Sequence, residues 1–217
     1  IISQIGVDLK SPFDCKIIQA DSLYLYAGFI DAMSYTGIKK EEENKDAPKP
    51  ASKGEANYEQ SGITPQVTAL SKLSIKESSI ADMRKAGFTT SHIFPRGKMI
   101  AGKSDIISLK NVDHEDKLIV KHNVALHSSF TPANSVYPST VIGVFAKFRD
   151  LYKNTALYAD NVKKYYVNSL GVKKPNYSEE LEAMMPVHQK QQTVYFVAKE
   201  VKDVFRAIEL QKEIGFN

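Results

Sequence analysis

Leu23-Tyr24-Leu25-Tyr26-Ala27-Gly28-Phe29-Ile30-Asp31-Ala32-Met33-Ser34-Tyr35-Thr36-Gly37 is the stretch on which the reading of this chain turns. Aromatic and aliphatic residues run from Leu23 to Tyr26, and Phe29-Ile30 continue them beyond Gly28. An apolar run this short, rich in residues that suit a pleated surface and punctuated by glycine, predicts a buried strand over 23–32 rather than a helix. Small and polar residues around Ser34 mark the point where the chain leaves the sheet.

The rest of the chain sets the frame around that strand. With 217 residues it can bury a sizeable core as one domain or two small ones. A formal net charge of +4 is mild, and the lysines and arginines are scattered rather than gathered in one stripe, which argues against a nucleic-acid partner. The single cysteine, Cys15, excludes both an intrachain disulfide and a cysteine-based zinc cluster. No apolar run reaches the length of a membrane span, and no signal peptide is visible.

Before the key stretch, Ile2–Ile5 and Lys16–Gln19 read as two short strands joined by a turn at Lys10-Ser11-Pro12. After it, residues 39–60 change character. Lys39-Lys40-Glu41-Glu42-Glu43 and the following lysines, prolines and small residues offer little to bury, which predicts a solvated, mobile insert. Ser79-Ile80-Ala81-Asp82 has capping-box spacing, Gly87 suits a helix C-cap, and Phe88–Phe94 follows as a strand. Gly97 to Ser104 fits Gly-x-x-x-x-Gly-Lys-Ser, but a phosphate loop needs a helix starting at Lys103-Ser104, and Asp105–Leu109 is β-rich instead.

Further on, Leu118–Ala125 is strand-like. Pro138 to about Tyr166 gives the longest helical signal, with Val141, Ile142, Phe145, Phe148, Leu151 and Tyr152 on one face. Tyr177–Met185 starts a helix limited by Pro186. Gln192–Ala198 is a buried strand, and Val201–Ile214 an amphipathic helix with Val204, Ala207, Ile208 and Gln211 inward. This succession of strands and helices predicts an α/β fold of barrel type.

Gly28-Phe29-Ile30-Asp31 resembles the first barrel strand of the amidohydrolase superfamily, which reads Pro-Gly-Phe-Ile-Asp-x-His-x-His. Arg84-Lys85-Ala86-Gly87-Phe88-Thr89-Thr90 resembles the same superfamily's Arg-x-x-Gly-(Val/Phe)-Thr-Thr segment. Pro95 to Leu109, a proline and glycines leading into a strand, loosely resembles a segment of the imidazolonepropionase-like and periplasmic branch of that family. The resemblance implies the N-terminal half of a (β/α)8 TIM-like barrel over 23–217, preceded over 1–22 by the remnant of a small β-sandwich. The chain opens without a start methionine and closes just past a helix, so it reads as a fragment, with the remaining half of the same protein as its first expected partner. An amidohydrolase paralogue or a second copy is the alternative partner, and a periplasmic or cell-envelope location follows from the same branch.

Active members of that family hold one or two divalent metals at the C-terminal ends of barrel strands, where the metal makes hydroxide available near neutral pH. His-x-His on one strand serves because side chains two apart share a face. Here those two positions carry Met33 and Tyr35, neither a good ligand for zinc. A later segment, Thr193–Val204, resembles the strand carrying a further ligand histidine, and Val197 stands in its place. Asp203 keeps the position at the helix start. Tyr35, Arg96 and Lys199 are the polar groups expected at the barrel mouth. The histidines show no ligand spacing, His92 reads as a core or pocket-edge residue, and there is no Gly-x-Ser-x-Gly elbow or credible cysteine nucleophile. The expectation is therefore a metal-deficient family member that binds a ligand or a partner, without a cofactor. The alternative is a zinc-dependent hydrolase of C–N bonds that takes its ligands from elsewhere.

Overall fold

A computed structural model describes residues 3–40, 52 and 54–217. Its strands are β1 (Phe29–Ser34), β2 (Phe88–Ile93), β3 (Ile100–Lys103), β4 (Asp105–Ser108), β5 (Ile119–Lys121), β6 (Ala125–Ser129) and β7 (Thr193–Val197). Its α-helices are α1 (Ser78–Lys85), α2 (Val141–Val167), α3 (Glu179–His188) and α4 (Val201–Ile214). The strands form two sheets, in the orders β1-β2-β4-β5 and β3-β6-β7. β1 pairs with β2 in parallel, and so does β6 with β7. The stretch from Ile100 to Ser108 ties the sheets together: its first half, β3, lies antiparallel to β6 and its second half, β4, antiparallel to β2.

Ser104 is the corner at which that stretch changes sheet. It is fully buried, its N–H donates to the Ala125 carbonyl at 2.8 Å, and its own carbonyl accepts from the Val124 N–H at 2.8 Å. Its hydroxyl lies 2.8 Å from His92 Nε2 and accepts from the Ala125 N–H at 3.1 Å. Beside it, the wholly buried Asp105 carboxylate accepts from the Leu70 N–H at 2.9 Å and the Asn123 N–H at 3.0 Å. Gly102 supplies the backbone for the bend, with φ of +127° and so little room that a Cβ would overlap the Val67 carbonyl.

Two apolar cores lie behind the sheets. The smaller gathers Ile38, Leu73, Ile80, Ile93, Ile107 and Leu118 under β2, β4 and α1. The larger gathers Leu126, Phe130, Phe148, Leu151, Met184 and Leu210 between the second sheet and α2, α3 and α4. Burial of this kind, at roughly 25 cal/mol per Å² of apolar surface, is what holds the helices on the sheets.

Several sequence expectations are corrected. Strict alternation of strand and helix does not hold, because β3, β4 and β5 intervene between β2 and β6, where a barrel would place a helix; no closed barrel forms among the described residues. The first strand begins at Phe29 rather than Leu23, since its first hydrogen bond runs from the Phe29 N–H to the Gly87 carbonyl at the start of its partner. Leu23 to Tyr26 are 73% to 96% exposed, with no strand beside them. Lys16–Gln19 and the described part of Ile2–Ile5 form no strand either, because a sandwich strand needs a neighbour and none of the described residues provides one.

The insert at 39–60 falls largely on residues 41–51 and 53, outside the described ones. Its end is better anchored than expected. Asn57 and Gln60 exchange backbone-to-side-chain hydrogen bonds, and Tyr58 packs on the larger core. Glu77, not Ser79, occupies the N-cap of α1, because the Ser79 hydroxyl instead accepts from the Gly37 N–H at 3.0 Å. Helix α3 runs on past Pro186 to His188. On α2, Ile142 is 83% exposed and Val144 takes the inward place; on α4, Leu210 is the buried residue while Val204 and Ile208 face outward.

Candidate functional site at the strand ends

β2 and β6 both run opposite to the Ile100–Ser108 stretch, so β1, β2, β6 and β7 deliver their C-terminal ends to one side. The residues just past those ends are Tyr35, Phe94 to Lys98, Ser129 to Thr131, and Val197 to Lys199. Of these, Tyr35, Phe94, Pro95, Gly97, Lys98, Ser129, Thr131, Val197 and Lys199 line a common cavity of about 140 Å³.

Its wall is a stack of rings. The Arg96 guanidinium sits 4.1 Å from the centroid of the Tyr35 ring, the Tyr35 and Phe94 centroids are 4.2 Å apart, and Phe94 lies flat on His127 at 3.9 Å with planes 2° apart. Tyr195 meets both His127 and His92 edge-on. A cation over a tyrosine face is worth about 0.5–1 kcal/mol where water reaches it. That contact, together with the one to Phe94, holds Tyr35 in place.

His127 is 2% exposed, and burial together with the neighbouring His92 pushes its pKa down to about 4. The imidazole is therefore neutral near pH 7, with one ring nitrogen a donor and the other an acceptor. Its Nε2 has no hydrogen-bond partner, and neither has the Oγ of Ser128, also 2% exposed. Ser129 Oγ, by contrast, donates to the Lys98 carbonyl at 2.8 Å. His92 is a satisfied core residue: Nδ1 lies 3.0 Å from the Ala32 carbonyl and Nε2 binds Ser104.

Of the residues singled out from the sequence, Tyr35, Lys199 and Val197 share the cavity, and Arg96 reaches it through the Tyr35 ring. Met33 does not line the cavity and is 43% exposed on β1. Asp203 caps α4, accepting from the Lys199 N–H at 3.3 Å and the Glu200 N–H at 3.4 Å. Asp31 accepts from Ser91 Oγ at 2.7 Å, and Ser34 Oγ links Ser91 to Thr36. Residue spacing alone does not single out His127 and Ser128. The signal available was a polar run, His127-Ser128-Ser129, closing an apolar strand.

The donor set does not suit a divalent metal. Among the described residues no three His, Cys, Asp or Glu side chains come together, and the cavity wall carries an imidazole, hydroxyls and two lysines but no carboxylate. An ammonium at the mouth would oppose a divalent cation. Among the described residues, no helix is long and apolar enough to cross a membrane.

No protein-family model matches the chain, and no curated protein sequence matches it. Among solved structures it is similar to an amidohydrolase from Thermotoga maritima, at 23% identity and a TM-score of 0.76, over 99% of this chain and 55% of that one. The chain thus spans about half the length of that protein, and its two sheets and four helices have an amidohydrolase-type fold.

Proposed function

We propose that this chain is a metal-deficient, pseudoenzyme-like form of the amidohydrolase scaffold, which binds a small molecule at the strand ends instead of hydrolysing one through a metal. The observation that carries the reading is the use made of the ligand positions. Tyr35 packs against both Arg96 and Phe94, Val197 is apolar, and Met33 lies outside the cavity. A catalytic zinc normally takes about three protein ligands and a water, and these residues fall short of that.

The exposed edges of β1 and β7 and the apolar outer face of α4, with Val201 and Phe205 73% and 64% exposed, suit cover by further barrel strands and helices. The remaining half of such a barrel, from the same protein, is the occupant proposed. A paralogue or a second copy would be read from a complex of larger mass. A periplasmic or cell-envelope location belongs to this reading on the sequence resemblance alone.

Elemental analysis after dialysis tests it. Far less than one equivalent of zinc, manganese or iron per chain is expected. A stoichiometric metal, removed by chelator together with a hydrolytic activity, would overturn the reading in favour of a zinc-type hydrolase.

A further inference from the structure

We infer that the cavity at the strand ends binds a small oxyanion, the carboxylate or phosphate head of an organic ligand, between Lys98, Lys199 and His127. The inference rests on the reading of the mouth as a ligand site and names the chemistry it takes.

Charge comes first. Lys98 and Lys199 line the cavity, neither is ion-paired with a described residue, and no described wall residue is acidic. Two uncompensated ammonium groups around a small concave space favour an anion. The second observation is the orphaned ring nitrogen of a wall residue. His127 Nε2 is buried with no partner, which is a costly state. An oxyanion accepts from a ring N–H, so a head group in the cavity can satisfy it.

The imidazole suits this role because it is neutral and immobile. Phe94 covers one of its faces, which fixes the ring plane, while its depressed pKa leaves one N–H to donate without a proton transfer.

The remainder of the ligand has a place too. A second depression of about 310 Å³ adjoins the cavity, sharing Thr131, Val197 and Lys199 with it and adding Phe130, Pro132 and Val141. That wall is apolar on one side, and its Glu200 and Asp203 are already committed to capping α4. A head group in the first space and a short apolar body in the second is the ligand shape that results.

The test is a titration of the whole protein, labelled with ¹⁵N-histidine, with acetate, inorganic phosphate and chloride at constant ionic strength. Saturable shifts of the His127 ring nitrogens with acetate or phosphate, and not with chloride, are expected, and whichever ion binds more tightly identifies the head group. Lys199→Gln and Lys98→Gln together should weaken that binding at least tenfold. Lys199→Glu, at an exposed position, should do so alone should the double variant fold poorly. Equal shifts with all three ions, no shift, or binding untouched by Lys199→Glu would overturn the inference. Metal content is read separately, so a metal found beside intact anion binding would remove the pseudoenzyme reading and leave this one standing.

Discussion

The Phe94 ring and the His127 imidazole lie face to face, 3.9 Å apart and 2° from parallel, although 32 residues separate them from one neighbour to the next along the chain. Phe94 follows β2 and His127 sits in β6, so the stack closes the gap between the two sheets where no backbone ladder runs. It also buries a titratable ring against a phenyl face, and burial of that kind disfavours the charged form.

A pH dependence follows from that burial. The native state holds His127 neutral down to about pH 4, whereas the unfolded chain protonates it near 6.5. Above pH 6.5 neither state binds the proton and the full stability is present. As the pH falls from 6.5 to 4 the unfolded state alone takes the proton, so stability is lost, by about 3 kcal/mol at most. Below about pH 4 both states are protonated and the loss levels off. Urea unfolding at pH 7.5, 6, 5 and 4 measures this, and His127→Phe, which keeps the stacked ring, should flatten that part of the profile. An unchanged profile in the variant would show that other groups set it.

Asp105 at the sheet corner predicts a separate loss of stability. Its buried carboxylate satisfies the Leu70 and Asn123 N–H groups, and His122 Nδ1 lies 3.5 Å away. Removing it in Asp105→Ala leaves two backbone donors without their acceptor, at a cost of about 2–4 kcal/mol. Denaturant unfolding reads the loss directly, and a change under about 1 kcal/mol would mean that water replaces the carboxylate there.

Gly102 gives a second, independent probe of the corner. Its φ of +127° is rarely adopted by L-residues with a side chain, and a Cβ would meet the Val67 carbonyl, a backbone atom that cannot swing aside. Gly102→Ala should destabilise the protein by at least about 2 kcal/mol. The neighbouring Ala101→Gly, lacking the clash, should cost clearly less in the same unfolding measurement.

What could be read from the sequence was what local rules decide. Helix α4 runs over the expected Val201–Ile214 because Asp203 reaches back to the cap and Gly215, at φ of +82°, ends it. Gly87 likewise ends α1 and hands the chain to β2, as its place before Phe88-Thr89-Thr90 suggested. The sheet switch at Ser104 was not legible. Asp105–Leu109 reads as β-rich, but that the stretch from Ile100 to Ser108 divides between two sheets depends on Ser128 and Thr90, far away in the chain. His127 escaped for the same reason: its role comes from Phe94 and from unpaired buried atoms, neither of which spacing encodes. Tyr35 and Lys199 could be placed near the strand ends because each follows a recognisable strand.

The last prediction joins the metal to the cavity. Tyr35 and Val197 stand where the resembling family has ligand histidines, and both line the same space as the native His127. Replacing both, as Tyr35→His/Val197→His, brings three imidazoles to that cavity, which is the number of protein ligands a zinc site with one open position takes. Neutral imidazole binds zinc well, and His127 is already held neutral at pH 7 by burial, so no proton has to be displaced from it. The double variant should retain close to one equivalent of zinc after dialysis, against far less than one for the unmodified protein. Adding His127→Phe to the double variant should return the content to the starting level, which separates a site built on that histidine from zinc held at the surface. Adding Met33→His should change it little, since Met33 lies outside the cavity. Elemental analysis of the four proteins decides the matter. A double variant that stays metal-free while remaining folded would mean that the three positions do not converge closely enough to share one ion.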